Sequence, residues 1–473
     1  MTLINRRNFL ARSSALGFAA GVGAISSTSV QHAAAADTSG YKALVCILLN
    51  GGMDQSDTVI PYDAASWTQL RTLRGGLFNA YRADQSSSSR NRANLLKLNP
   101  TNAGQFGGRE FSMPPQLARA HEMFESGDLA VIGNVGPLIE PITRQQYENG
   151  SARLPPRRGS HNDMKSLWLS MGLEGTRYGW GGRFADAAIA SAPADDPTFA
   201  AVSTGSNFPF LAGETVRPFR IAKPNALEPD VISKGFLLSS NGPDVAIRNR
   251  LDQYLNRSDF GESNLYAADF SAAKAEAIGN SRLMLASRGS TAPMATVFPS
   301  EPLAQKMKLI AETIQIQSRL NTSRQIFYVS LGGFDTHGSQ SATLPVLHAN
   351  LSNALWAFKN AMLEINHWNN TTVFTTSDFG RAMIDNGDGT DHGWGGLHFV
   401  LGGGVQGKQI YGDIPVSDVN NQHHMPGRGS LIPSVSVEQY AATLGSWYGL
   451  TSGELATIFP NLSNFSRSNL GFV

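Results

Sequence analysis

Acidic and histidine residues follow several apolar, strand-like runs of this sequence. Five of them stand just past such a run or in a glycine-rich segment between two runs: Asp54, Asp335, His337, Asp378 and His392. Open α/β sheets place their ligand sites at the carboxyl ends of parallel strands, so these side chains are expected to meet there. Carboxylates and imidazoles that converge are typical ligands of a divalent metal ion. The sequence therefore predicts a metal site at this edge of a sheet.

The local spacing of these residues suits ligation. Asp335 and His337 are two positions apart, and alternate side chains of an extended chain point to the same side. The glycines around His392 allow sharp turns that bring a ligand close. Two alternatives stay open. Asp54 could instead cap a following helix, and the pair 423–424, two histidines in a polar loop, could reach a metal.

The first 36 residues have the features of an export signal. Residues 5–10 form a twin-arginine pattern, residues 15–25 are mildly apolar, and the alanines at 33–36 suit a signal peptidase. We expect the twin-arginine translocase to export the chain to the periplasm or the extracellular space. The apolar stretch is too short to span a bilayer comfortably, and no transmembrane segment is expected in the mature chain.

The charge of the chain argues against a nucleic-acid partner, and its cysteine content excludes an internal disulfide. Removal of the leader, with Arg6, Arg7 and Arg12, changes the formal net charge from +1 to −2, so no nucleic-acid partner is expected. Cys46 is the single cysteine of the sequence, so no internal disulfide can form. A large apolar core must therefore stabilise the mature chain.

Strand-like and helix-like segments alternate in the mature chain. Buried strands are predicted at 42–49, 129–133, 325–331 and 371–376. Helices are predicted at 115–124, from Ser160 through 168, at 267–285, at 303–320, around 351–365 and from Ser436 onward. Strand, helix and strand in this order imply parallel pairing of the strands.

Two segments lack this regular pattern. Residues 62–112 are polar and are interpreted as a surface loop. From about 175 to 300, short strand-like pieces, prolines and polar stretches alternate, which we interpret as an insertion or cap lying over the site. The mature chain, residues 37–473, is therefore expected to be a single α/β domain with an inserted cap region.

Several motifs in combination resemble the domain-of-unknown-function 1501 family over nearly the whole mature chain. Besides the twin-arginine leader, they are LNGGMD at 49–54, GFDTH at 333–337, SDFGR at 377–381, DHGWGG at 391–396 and FPNL at 459–462. That family is in turn similar to the alkaline phosphatase and sulfatase superfamily. The resemblance implies a mixed, mostly parallel central sheet flanked by helices. It also implies one or two divalent ions, which could be zinc, calcium or manganese.

The resemblance further implies a division of the candidate ligands between two metal sites. Asp335, His337 and His392 match residues of one site. Asp54 matches the acid that follows the first strand of the superfamily, and Asp378 matches its later acid. These two carboxylates and a hydroxyl nucleophile would form the other site.

Three residues are candidates for catalytic groups. Ser160 precedes a predicted helix and would be the nucleophile, because the positive end of the helix dipole favours an anionic substrate there. His161 would act as general acid or base, and Arg381 would hold the anion by a bidentate contact. Alternatively, Ser160 only caps the helix.

These residues favour an exported, metal-dependent hydrolase of phosphate or sulfate esters, with a small anionic ester or a glycan as substrate. The alternative is a non-catalytic periplasmic protein whose degenerate site binds a glycan or an anionic envelope polymer. Phe379 motivates this alternative, because the superfamily often has a histidine at that position. Trp180, Trp394 and Trp447 would then offer aromatic surface for sugar stacking.

Overall fold

In the part of the chain that the structure describes, apolar strands form one nine-stranded central sheet, accompanied by two small sheets. The computed structural model describes residues 35–83, 90–205, 209–221, 250, 253 and 265–473. Its strands are β1 (Lys42–Asn50), β2 (Ile60–Pro61), β3 (Leu96–Lys97), β4 (Phe111–Met113), β5 (Leu129–Gly136), β6 (Ala201–Ser203), β7 (Phe219–Arg220), β8 (Arg324–Gly332), β9 (Thr371–Ser377), β10 (Arg381–Asp385), β11 (Thr390–His392), β12 (Gly396–Gly402), β13 (Ile410–Gly412) and β14 (Val435–Ser436).

The central sheet is mixed and mostly parallel. Its strand order is β13–β5–β12–β9–β1–β8–β6–β7, and β14 also pairs with β5. β1 pairs in parallel with β8 and with β9, so that Asn50 lies opposite Gly332 and Leu49 lies opposite Ser377. These three strands therefore end side by side at one edge. β12 runs antiparallel to both of its neighbours, β5 and β9.

Helices cover both faces of this sheet. They are α1 (Gln55–Thr58), α2 (Ala64–Leu73), α3 (Gly75–Ala83), α4 (Ala118–Glu125), α5 (Arg144–Glu148), α6 (His161–Ser170), α7 (Trp180–Ser191), α8 (Leu265–Gly289), α9 (Pro302–Gln315), α10 (Gln340–Glu364), α11 (Val437–Tyr448) and α12 (Ser452–Ile458). Val45 and Ile47 of β1 join the apolar cluster that contains α4, α9 and α10. Leu44 and Leu48 join the opposite cluster, with α6, α7 and α11. The predicted fold class, a mixed and mostly parallel sheet flanked by helices, is confirmed.

Polar side chains fix the starts of two predicted helices. The Ser160 hydroxyl accepts a hydrogen bond from the Asp163 amide at the start of α6, at 3.4 Å. Ser436 and Gln439 form a reciprocal capping box at the start of α11. Because a cap fixes the direction in which a helix leaves its first residue, Ser160 also fixes where the next residue, His161, is placed.

The prediction of a surface loop at 62–112 is wrong for most of its described residues. Helices α2 and α3 lie there, and β4 pairs in antiparallel fashion with β2 and β3. The reason is a small apolar cluster that includes Trp67, Leu70 and Phe78, whose spacing a reading of average polarity overlooks. The serine-rich centre of the predicted loop, 86–89, lies outside the described residues.

The segment near 175–300 contributes to the central sheet where it is described. β6 pairs in parallel with β8, β7 pairs in parallel with β6, and α8 covers the helix predicted at 267–285. Residues 206–208, 222–249, 251–252 and 254–264 of the expected cap, and the export signal up to residue 34, lie outside the described residues. In the described ranges, no helix combines the length and the apolar character needed to cross a bilayer.

Phe374 of β9 provides a test of the packing at the centre of the sheet. Its side chain is fully buried, and its ring centroid lies 5.6 Å from that of Trp180. Phe374→Ala should lower the free energy of unfolding by about 3–5 kcal/mol, because it leaves a cavity. Val346→Ala, on the exposed face of α10, is the control and should change it by less than about 0.5 kcal/mol. Urea denaturation followed by circular dichroism measures both, and equal midpoints would contradict the packing described.

Candidate metal centre

Three histidines and one aspartate converge where the central strands end. His161 is the first residue of α6, Asp335 and His337 follow β8, and His392 ends β11. β10 begins soon after β9 ends and pairs with β11, with Arg381 opposite His392. This hairpin returns the chain to the same edge of the sheet, so that His392 lies beside the residues that follow β8.

The inner atoms of these four side chains lie close to one another. The Nε2 atoms of His337 and His392 are 2.8 Å apart, and Oδ1 of Asp335 lies 3.2 and 3.3 Å from them, respectively. Oδ2 of Asp335 lies 3.4 Å from Nε2 of His161. One ligand atom each from His161, Asp335 and His392 lie within 4.8 Å of one another. We refer to these four residues as the His–Asp cluster.

The other ring nitrogen of each histidine faces an oxygen. These contacts join His161 Nδ1 to Asp378 Oδ2 at 2.6 Å, His392 Nδ1 to the Gly159 carbonyl at 3.0 Å, and His337 Nδ1 to Asp391 Oδ1 at 3.5 Å. An imidazole that donates from Nδ1 presents an acceptor lone pair at Nε2. With all three histidines in this tautomer, three lone pairs and a carboxylate oxygen would face one another, and a cation between them would stabilise the arrangement. Metal-binding histidines have this arrangement of outer partners, so the donor set fits a metal ion.

Electrostatics favours the protonation states that ligands need. Burial lowers the pKa of His392, the hydrogen bond to the Gly159 carbonyl opposes this, and the neighbouring His161 and Arg381 lower the pKa further, so the net shift favours a neutral ring. Burial raises the pKa of Asp335, but the hydrogen bond and charge of Arg381, together with His161 and His337, lower it by more, which favours an ionised carboxylate. Neutral imidazole and ionised carboxylate are the forms that bind metals.

Arg381 lies beneath the His–Asp cluster and is fully buried. Its Nη2 donates to the carbonyls of Gly51 and Phe334 at 2.6 and 2.7 Å, and to Oδ1 of Asp335 at 2.6 Å. Its Nε and Nη1 donate to further carbonyls, at 3.0 and 2.9 Å. The expectation that Arg381 holds a substrate anion is therefore corrected, because internal acceptors engage every nitrogen of the guanidinium. Arg381 instead fixes Asp335.

Asp54 lies outside the His–Asp cluster, which corrects its expected role as a metal ligand. Its Oδ2 binds Nη1 of Arg74 at 2.6 Å and Nε2 of Gln340 at 2.7 Å. Its Oδ1 accepts from the Ser56 amide at 3.0 Å and so caps α1, which is the alternative that the sequence left open. Both oxygens are engaged in a buried network, so neither is available to the cluster.

Asp378 stands behind His161 instead of beside the other ligands. Its carboxylate is buried, and Oδ2 makes the 2.6 Å contact with Nδ1 of His161. Its Oδ1 is buried without a hydrogen-bond partner. A carboxylate in this position orients the ring and raises its basicity as a ligand. The structure therefore brings four of the eight predicted site residues into the His–Asp cluster, namely His161, Asp335, His337 and His392, and places Asp378 against one of them.

Sequence reasoning assigned His161 to proton transfer and missed it as a candidate ligand. Its position directly after a helix cap, with nothing strand-like before it, hides the fact that α6 begins at the same edge of the sheet. Asp391 was noted only as a neighbour of His392. The structure places its Oδ1 behind His337 and its Oδ2 3.0 Å from Nε of Arg428. The adjacency of Asp391 and His392 in sequence was the available signal.

Other candidates from the sequence have structural roles. His424 is buried, and its two ring nitrogens face the carbonyls of Gly429 and Val416 at 3.1 and 2.8 Å. Trp180 and Trp394 are buried, which corrects the suggestion that they offer a surface for sugar stacking. The partly buried Trp447 has the ammonium of Lys42 5.5 Å from its ring centroid.

Comparisons with known proteins give weak structural likenesses. A crystal structure of Ps i-CgsB matches with a TM-score of 0.34 and 8% identity, covering 90% of this chain and 77% of that chain. A crystal structure of Ps i-CgsB in complex with k-i-k-neocarrahexaose matches with a TM-score of 0.33 and 9% identity, covering 91% and 77%. Likenesses at these values support no conclusion about activity. No curated protein sequence matches this chain.

A family comparison covers most of the chain. Residues 41–427 match the model described as "Protein of unknown function (DUF1501)". The matched range contains every member of the His–Asp cluster, together with Asp378 and Arg381. The chain therefore belongs to the DUF1501 family of proteins of unknown function.

Proposed function

We propose that this protein is an exported, metal-dependent hydrolase of phosphate or sulfate esters. The observation that carries the proposal is the His–Asp cluster, in which the Nε2 atoms of His337 and His392 approach to 2.8 Å beside Asp335. The resemblance of the family to the alkaline phosphatase and sulfatase superfamily supports the ester class.

The donor set supports a single ion of the zinc type. Three imidazole nitrogens and one carboxylate oxygen suit zinc, whereas calcium is bound by sets of six to eight oxygens. Asp54 is engaged with Arg74, which leaves the expected second site without one of its carboxylates. Of the ions expected from the sequence, we therefore propose one zinc ion per chain.

The chain prepares these ligands in three ways. Asp378 and the Gly159 carbonyl orient His161 and His392, and Arg381 holds Asp335 in its ionised form. When bound, the ion would polarise an ester oxygen and lower the pKa of the attacking group. His161 has one nitrogen engaged by Asp378 and the other facing the cluster, so we reassign it from acid–base catalysis to ligation.

Positive charge beside the cluster supports an anionic substrate. The N-terminus of α6 lies at His161, and its unpaired backbone amides favour negative charge. Lys165 lies one turn later on the same face of α6, with Nζ 3.3 Å from Oδ1 of Asn50 at the end of β1. Ser160 stays the candidate nucleophile, because its hydroxyl accepts from the helix and its own proton remains available for transfer.

One observation favours a second candidate, a non-catalytic exported protein that binds a glycan or an anionic envelope polymer. Arg381 and Asp54, which were expected to act on the substrate or the metal, are both buried in internal contacts. A protein that retains the metal site but lacks turnover would fit this arrangement. The two candidates differ in whether zinc-loaded wild-type protein hydrolyses aryl phosphates or aryl sulfates.

Metal content tests the His–Asp cluster. Purified protein should contain about one zinc ion per chain by mass spectrometry of the elements. Alanine at His337 or His392 should reduce this to a trace, because each change removes one nitrogen ligand. Asp378→Asn should weaken zinc binding by about 10–100-fold, as loss of an outer partner does. His121→Ala, on α4 with Nε2 2.8 Å from the Lys97 carbonyl, is the histidine control. Metal-free wild-type protein after zinc supplementation would refute the proposal.

The two roles of Ser160 can be separated by two substitutions. Ser160→Ala removes both the hydroxyl nucleophile and the cap, and should lower the free energy of unfolding by about 1 kcal/mol. Ser160→Asn removes the hydroxyl nucleophile but keeps a capping oxygen. Both variants should lose turnover of aryl phosphates and aryl sulfates in the presence of zinc. Wild-type rates in Ser160→Asn would exclude Ser160 as the nucleophile, and no turnover by zinc-loaded wild-type protein would favour the binding protein.

Export by the twin-arginine route is proposed from residues 1–36. Arg6→Lys combined with Arg7→Lys should keep the protein in the cytoplasm, because the route requires the arginine pair. Arg12→Lys preserves the pair and is the matched control. Cell fractionation with antibodies locates each variant. Normal export of the double variant would contradict this route.

A further inference from the structure

Gln340 is a buried side chain that the proposed catalytic machinery does not use. It is the first residue of α10, and it lies between the buried charges beneath the site and the two chain segments that carry most of the His–Asp cluster. We name these the first ligand segment, residues 334–339, and the second ligand segment, residues 386–392.

The amide of Gln340 uses both of its ends. Nε2 donates to Oδ2 of Asp54 at 2.7 Å and to Oδ2 of Asp57 at 3.2 Å. Oε1 accepts from the hydroxyls of Thr336 and Thr390, at 3.0 and 2.8 Å. A buried group that makes four hydrogen bonds has one orientation, because reversing the amide would face its oxygen toward two carboxylates.

The Nε2 atom of Gln340 contacts a network of paired, buried charges. Asp54 is paired with Arg74, and Asp57 is paired with Arg90 and accepts a hydrogen bond from Tyr81. All of these groups are buried. A network of paired buried charges is costly to disturb, because breaking any pair leaves an uncompensated charge.

The Oε1 atom of Gln340 contacts both ligand segments. Thr336 stands between Asp335 and His337 in the first ligand segment, and Thr390 stands two residues before His392 in the second. The two threonines are also joined directly, because the Thr390 amide donates to the Thr336 carbonyl at 3.0 Å. The Gln340 amide itself donates to the Asp388 carbonyl at 2.9 Å. The Gln340 side chain therefore acts together with these backbone bonds, and with the contacts of Asn386 and Asp388 to the first ligand segment, to hold the two segments together.

We propose that Gln340 is a positioning residue that holds Asp335, His337 and His392 at the separation needed to share one metal ion. The proposal rests on the proposed metal site and assigns no contact between Gln340 and the metal. In this proposal Asp54 also has a role, because it accepts a hydrogen bond from Gln340 and so fixes the side chain that contacts both ligand segments. Glutamate cannot replace glutamine here, because it would bring a third carboxylate against two others and would lack the donor.

The test compares two buried glutamines of this chain. Gln325 is fully buried at the amino end of β8, where its Nε2 donates to the Phe199 carbonyl at 3.0 Å and its Oε1 accepts from the Tyr41 hydroxyl at 2.6 Å. Gln340→Met and Gln325→Met both remove a buried amide, so both should lower the melting temperature. Zinc affinity, measured by competition with a chelator, should fall about tenfold in Gln340→Met alone, the lower end of the range for outer partners.

A second measurement does not need the metal. Hydrogen exchange of the Thr390 amide, followed in zinc-free protein, should be about tenfold faster in Gln340→Met than in Gln325→Met, because the two ligand segments separate more easily. If Gln340→Met does not fold, the double variant Thr336→Val with Thr390→Val removes only the two hydroxyl donors and should show both effects.

Equal zinc affinities and equal exchange rates in the two methionine variants would overturn the role of Gln340. Failure of the wild-type protein to bind zinc would instead refute the proposed metal site. In that case the exchange measurement still decides whether Gln340 holds the two ligand segments together.

Discussion

The buried guanidinium of Arg381 is the interaction on which the site depends most. It binds the carbonyls of Gly51, Phe334 and Thr390, which belong to three chain segments that meet at the edge of the sheet. These three residues are buried, so the loss of the arginine would leave several buried carbonyl acceptors unpaired. Its charge is balanced by Asp335, whose other contacts face the histidines. The Arg381 side chain therefore satisfies buried backbone carbonyls and also orients Asp335.

Buried charge and exposed chemistry are arranged in two layers. The lower layer contains Asp54 and Asp57 with their arginine partners, all inaccessible to solvent. The upper layer contains the His–Asp cluster, where the side chains of Asp335 and His337 are 45% and 47% exposed. Side chains in such an open position need buried partners to hold one orientation, because solvent-exposed side chains otherwise move among several rotamers. Arg381 and Gln340 supply that support from the layer beneath.

Sequence patterns predicted the elements and part of the site, for reasons that particular residues make clear. The strands at 42–49 and 325–331 and the caps Ser160 and Ser436 depend on local composition, which one sequence contains. Asp335 and His392 were recognised because each lies beside a strand or a turn. The partners of Asp54 and Arg381 depend on tertiary contacts, and no local pattern distinguishes a carboxylate that faces an arginine from one that faces an ion.

The His–Asp cluster draws its members from three stretches of the chain that are far apart in sequence. His161 lies in the first half, whereas Asp335, His337 and His392 come late. On the ribosome, a growing polypeptide would lack a complete set of donors until residue 392 has been synthesised. Under the proposed function, the cellular pool of metal met by the folded polypeptide would therefore decide which ion is captured, and no shorter intermediate of synthesis would offer the complete set of donors.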